Sequence, residues 1–108
     1  MTGQELQQLL LDKWGRSYDI RLRRTPARIF VQIMWRYLEQ ASFPLDETEY
    51  RAHLAELARY LDGMGATAQV REAIRQTRRR PRVGRAVSIP IELGERASEW
   101  LVEPDSPS

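Results

Sequence analysis

Six arginines, Arg75, Arg78, Arg79, Arg80, Arg82 and Arg85, fall within eleven consecutive residues of a chain that has sixteen arginines and one lysine, Lys13. The planar guanidinium fork grips carboxylates and phosphates in a bidentate way that the lysine ammonium cannot match. The chemistry open to this tract is therefore recognition of anions, and it marks the place where a partner would dock. Arg75, Arg78, Arg79 and Arg82 recur at helical spacing, so at least the first three could share one helix face. Four readings are open: an acidic protein surface, the phosphates of a nucleic acid, an anionic membrane surface, or pairing with the chain's own acids. The tract lacks the interleaved aromatics and the fold signature of base readers.

Other candidate chemistry is sparse. His53 is the sole histidine, with Glu49 and Glu56 within helical reach to orient it as a general base. It also fits the flank of an amphipathic helix, and no nucleophile or metal partner stands near it in the sequence. Glu92, Glu95 and Glu99 could line one helical side, yet a hard cation needs more oxygens than these supply. The run Gly63 to Ala68 has the spacing of a dinucleotide fingerprint, but a helix rather than a strand precedes it. There are no cysteines, which excludes disulfides, thiolate catalysis and thiolate-ligated metals. No catalytic residue, metal ligand or cofactor is expected.

The elements that must position the tract follow from local pattern. Thr2 and Glu5 form a capping box with a Met1/Leu6 staple, predicting a helix over 3–13 closed by Gly15. Tyr18, Ile20 and Leu22 alternate with Asp19, Arg21 and Arg23, the period of a half-buried strand. Arg24 to Ala27, with Pro26, reads as the turn of a hairpin. Ile29, Val31, Ile33 and Trp35 supply the buried face of the returning strand, while Arg21, Arg23 and Arg28 give the hairpin a basic face. That strand ends somewhere between Met34 and Glu39, and Trp35 to Gln40 also suits a helical turn. A second capping box, Asp46 and Glu49, opens a long helix whose Tyr50, Leu54, Leu57, Ala58, Leu61 and Met64 form one stripe. A shorter helix is predicted over 67–78, broken by Pro81 and Gly84. Val87, Ile89 and Ile91 alternate with polar or small residues, and Pro90 marks the strand as an edge. Glu95 to Leu101 fits a final helix.

The order α-β-β-α-α-β-α predicts a single α+β domain over residues 1–102, with helices packed on a short antiparallel sheet, and a flexible tail over 103–108. The bulk numbers agree. The 108 residues are 42% apolar and 30% charged, enough for a modest core and above the range of disordered chains. No apolar run approaches the roughly 20 residues that span a bilayer, and Met1 to Glu5 lacks a secretory pattern. A soluble, intracellular protein is expected. Net charge is only +2, but residues 71–85 carry +6 between acidic flanks of −3 (46–70) and −4 (86–108).

Three segments carry a family resemblance: MTGQELQQLLLDKWGRSYD (1–19), MWRYLEQASFP (34–44) and RPRVGRAVSIPIELGERASEW (80–100). Together they make the chain, over about residues 1–102, resemble the cyanobacterial and chloroplast family called domain of unknown function 3067. The resemblance implies a small α+β protein in a photosynthetic cell, with no enzyme activity to carry over. It suggests an auxiliary role in assembly or regulation of a photosynthetic or ATP-producing complex, in the cytosol or on its stroma-like side, compatible with peripheral contact with thylakoids. The expected partner is an acidic protein held by the arginine tract, with Trp35 or Trp100 as an aromatic anchor. The alternative is RNA or DNA bound by the tract together with Arg21, Arg23 and Arg28.

Overall fold

The computed structural model describes residues 1–93. Helix α1 spans Gly3–Trp14, β1 Tyr18–Arg24, β2 Ile29–Tyr37, α2 Glu47–Met64, α3 Thr67–Gln76 and β3 Val87–Ile91. The three strands form one antiparallel sheet in the order β1-β2-β3. The α+β class and the first six elements of the predicted order are present. The expected final helix, Trp100 and the 103–108 tail lie outside the described residues.

Both capping boxes form. The Glu5 amide donates to the Thr2 hydroxyl at 3.0 Å and the Thr2 amide donates to the Glu5 carboxylate at 2.9 Å. Asp46 and Glu49 make the same reciprocal pair at 2.8 and 2.9 Å. Each satisfies two amides that a helix start otherwise leaves without partners.

One sheet face and the apolar stripes of the helices share a core. Ile20, Ile29, Val31, Ile33, Val87, Ile89 and Ile91 pack with Leu6, Leu10, Leu54, Leu61, Val70 and Ile74. Alternation sends Arg21, Gln32 and Ser88, which are register neighbours, to the opposite face, along with Arg23, Phe30 and Pro90. Pro90 is accommodated because β3 is an edge strand.

Four local expectations need correction. Helix α1 runs one residue further than predicted, through Trp14. The hairpin turn sits one residue later, closed by the Thr25 amide donating to the Arg28 carbonyl at 2.8 Å. Strand β2 ends at Tyr37, inside the expected interval from Met34 to Glu39, and of the two readings left open from Trp35 onward the extended one holds to that point. A register shift opposite Tyr18/Ile20 absorbs the extra residues, and Trp35 is half-buried rather than core. Helix α3 stops at Gln76 instead of Arg78. There Thr77 turns extended (ψ 142°), its hydroxyl accepts from the Arg79 amide at 3.2 Å, and Pro81 disfavours helix at Arg80.

Candidate functional site

The early end of α3 rearranges the arginine tract. Only Arg75 remains on the helix, so the shared helical face expected for Arg75, Arg78 and Arg79 does not exist. Beyond Gln76 the chain runs without regular structure to a tight turn. The Arg85 amide donates to the Arg82 carbonyl at 2.7 Å and the Arg82 amide donates back at 3.0 Å. Gly84 occupies the left-handed region (φ 79°) that such a turn demands, and Val83 stands 89% exposed at the tip. Pro81, between the exposed Arg80 and Arg82, is buried.

This excursion and the end of α1 enclose a cleft of about 710 Å³. Its walls are Arg78, Arg79 and Arg80 from the extended stretch, Arg82 and Arg85 from the turn, and Lys13 with Trp14 from α1. Among the described residues no carboxylate lines it. All six arginines of the tract are exposed, and among the described residues none lies in an ion pair. Intramolecular pairing therefore does not occupy these groups within the described residues.

Two long-range hydrogen bonds fix the cleft. The Lys13 ammonium donates to the Arg75 carbonyl at 2.9 Å, capping the negative end of α3. The Trp14 Nε1–H donates to the Arg79 carbonyl at 3.2 Å. The Trp14 ring is itself held edge-on to Tyr18 (centroids 5.9 Å apart), and Tyr18 edge-on to Tyr37 (5.8 Å). Arg16 caps this aromatic row with its guanidinium 4.5 Å from the Tyr37 ring centre.

The other candidates fall elsewhere. Arg75 faces a smaller groove shared with Arg71, Glu5 and Asp12. Trp35 does not line the cleft. Its place is taken by Trp14 and by Lys13. A hydrogen bond between residues 65 positions apart leaves no local trace; the sole cue was the aromatic and cation at the helix end just before Gly15. Arg21, Arg23 and Arg28 are exposed, but Arg21 Nε donates to Asp19 at 3.2 Å. Arg28 sits beside Ile29, which pairs with Ile91, whereas the cleft adjoins Val87. Arg23 and Arg28 thus lie toward the end of β3 away from the cleft, whereas Arg21 is in register with Gln32 and Ser88, next to Val87.

His53 serves as a tether. Its Nε2 lies 2.6 Å from the Ile20 carbonyl, which can only accept, so this nitrogen carries the proton. The Asp19 carboxylate lies 3.6 Å from the same nitrogen, in the place expected for the helical neighbours Glu49 and Glu56. Next to it is an open recess of about 180 Å³ lined by Leu22, Glu56, Leu57 and Tyr60. Among the described residues no group of three or more metal-ligating side chains is gathered, and no helix is long and apolar enough to cross a membrane.

Fold and cleft together define a small α+β domain, helices on one sheet face, with a cationic recess at one end. The chain belongs to the family described as Domain of unknown function (DUF3067), whose model matches residues 4–101. A similar solved structure is the solution NMR structure of the Alr2454 protein from Nostoc sp. strain PCC 7120. It is 64% identical, with a TM-score of 0.86, over 94% of this chain and 98% of that one. No curated protein matches the chain.

Proposed function

We propose that the protein is a non-catalytic interaction factor of a photosynthetic cell, docking an acidic protein surface through the arginine tract. The observation that carries this reading is the set of exposed guanidinium groups with no carboxylate partner among the described residues. A desolvated guanidinium–carboxylate fork gives both orientation and strength, and cations already paired within the chain would have had none to offer. The aromatic anchor of the surface is Trp14, which borders the arginines, in place of Trp35. Similarity to a cyanobacterial protein supports the phototroph setting, and an auxiliary role in assembling or regulating a photosynthetic or ATP-producing complex follows by context. Nucleic-acid binding through a combined hairpin and tract surface is less well supported, because Arg23 and Arg28 lie toward the other end of β3 and Arg21 is already paired with Asp19.

Affinity purification from the native phototroph, read by mass spectrometry, tests the reading. Replacing Arg78, Arg79 and Arg80 by alanine should abolish capture of an acidic protein while circular dichroism stays native. Unchanged capture, or co-purifying RNA in place of a protein, defeats it.

A further inference from the structure

We infer that the cleft between Trp14 and the Arg78–Arg85 excursion is a binding site for a small polyphosphate-bearing ligand, one with two or more linked phosphate groups. The inference rests on the same outward-turned guanidinium groups as the docking reading, but it concerns the concave part of the surface and needs no protein partner.

Three observations carry it. First, the site is concave. Its volume of about 710 Å³ falls in the range of roughly 300–1,000 Å³ typical of small-molecule sites, whereas a surface built only to meet a protein would be served by flat ground. Second, the lining charges are all of one sign. Arg78, Arg79, Arg80, Arg82, Arg85 and Lys13 line it with no carboxylate among the described residues, an arrangement that repels itself until an anion fills it. Neutralising so many cations in one recess takes a ligand of high charge density. Linked phosphates place several charges on adjacent tetrahedral groups, each presenting oxygens to a guanidinium fork. An extended acidic peptide spaces side chains on one face by about 7 Å, so a recess of this size admits few of its carboxylates. Third, the walls are braced from outside the tract. Hydrogen bonds from Trp14 to the Arg79 carbonyl and from Lys13 to the Arg75 carbonyl hold both sides in place, which lowers the ordering cost of binding.

The test is calorimetric titration of the full chain with inorganic tripolyphosphate at low salt, followed in parallel by the arginine Nε resonances in NMR. Saturable binding at a single site is expected, with orthophosphate weaker by at least about tenfold. The double variants Arg78→Gln/Arg82→Gln and Arg79→Gln/Arg85→Gln should each weaken tripolyphosphate by at least about tenfold. Arg23→Gln/Arg28→Gln, which removes as much charge at the far end of the sheet, should leave it unchanged. Absence of saturable binding overturns the inference. So does equal weakening by the hairpin variant, which would mean a net-charge effect, and so does equal affinity for a glutamate-rich peptide, which would assign the cleft to carboxylates. Loss of partner capture in the alanine triple variant alongside failed tripolyphosphate binding defeats only the ligand. Tripolyphosphate bound at the cleft with capture unaffected by that variant defeats only the docking reading.

Discussion

The indole Nε1 of Trp14 and the main-chain carbonyl of Arg79 are joined by a 3.2 Å hydrogen bond across 65 residues of chain. This contact ties the end of the first helix to the middle of the arginine tract. It turns a run of like charges, which would otherwise drift apart as a solvated loop, into one wall of a cleft. Lys13 makes the companion contact one residue earlier, to the Arg75 carbonyl.

Trp14→Phe keeps the edge-on ring contact with Tyr18 and deletes the donor. The expected cost is about 0.5–1.5 kcal/mol, the net worth of one such bond, read as a lower urea midpoint. Amides of Arg78 to Arg80 should exchange faster with solvent than in the parent protein, while those of α2 do not change. Uniformly faster exchange would show that the indole braces the whole fold rather than the tract.

Tyr50 predicts an alkaline limit to stability. Its fully buried side chain donates to the Tyr18 carbonyl at 2.8 Å. Burial, and then the negative charges of Glu39 and Asp19, push the phenol well above its ordinary value of 10.0. The unfolded chain ionises this phenol near its ordinary value and the folded chain does not. The unfolded state therefore binds fewer protons above about pH 10, and stability falls as pH rises through that point. Below it, Tyr50 contributes no pH dependence. Tyr50→Phe should lose about 1–3 kcal/mol, from the carbonyl left without its donor, and should flatten the alkaline fall. Denaturant midpoints between neutral pH and about pH 11 check both.

The first capping box predicts behaviour at the acid end. Hydrogen bonds from the Thr2 amide, then from its hydroxyl, hold the Glu5 carboxyl below its ordinary value. The Thr67 hydroxyl and then the terminal amine do the same for Asp62. Carboxyls lowered in the folded state stabilise it above their unfolded values, and that contribution is lost as pH falls through the folded ones. In Thr2→Ala the Glu5 titration followed by carboxyl NMR should move up toward the ordinary range. The variant should also lose about 0.5–2 kcal/mol at neutral pH, the usual cost of an N-cap. An unmoved Glu5 midpoint would mean that the box does not persist in solution.

The parts of the fold that were legible in the sequence are those with short-range causes. Thr2/Glu5 and Asp46/Glu49 announce helix starts because a cap needs only residues three apart. The Tyr50–Met64 stripe and the β1 alternation announce buried faces because periodicity is local. The misread positions are settled at longer range or by competition. Arg78 and Arg79 match a helical period, but the Thr77 hydroxyl and Pro81 end the helix before they join it. Trp35 fits the inward pattern of β2, yet the register shift opposite Tyr18/Ile20 takes it out of the core. The tract itself was visible as a charge run. That it folds into a recess with Trp14 and Lys13 was not, because those residues meet it only through the packing of α1 against α3.

Gly3 gives the sharpest test of that packing. It lies in the first turn of α1, where a Cβ would come within 2.6 Å of the Ala55 nitrogen and 2.8 Å of its Cα. These are main-chain atoms of α2 and cannot swing aside. Helix propensity alone favours alanine over glycine by about 0.8–1 kcal/mol, so an unobstructed helix would gain from Gly3→Ala. Overpacking against a backbone costs about 1–3 kcal/mol, and the steric effect should win. The denaturant midpoint should fall, and since α1 carries Lys13 and Trp14, the Trp14 indole resonance should shift as the helix is pushed outward. Gly15→Ala is the control. It has no atom within 4 Å of the added Cβ but a left-handed φ of 75°, so it costs about 1–2 kcal/mol of backbone strain with no need to move α1. A stabilised Gly3→Ala protein would mean that the two helices stand further apart than described, and the cleft at the far end of α1 would lose the fixed wall on which its shape depends.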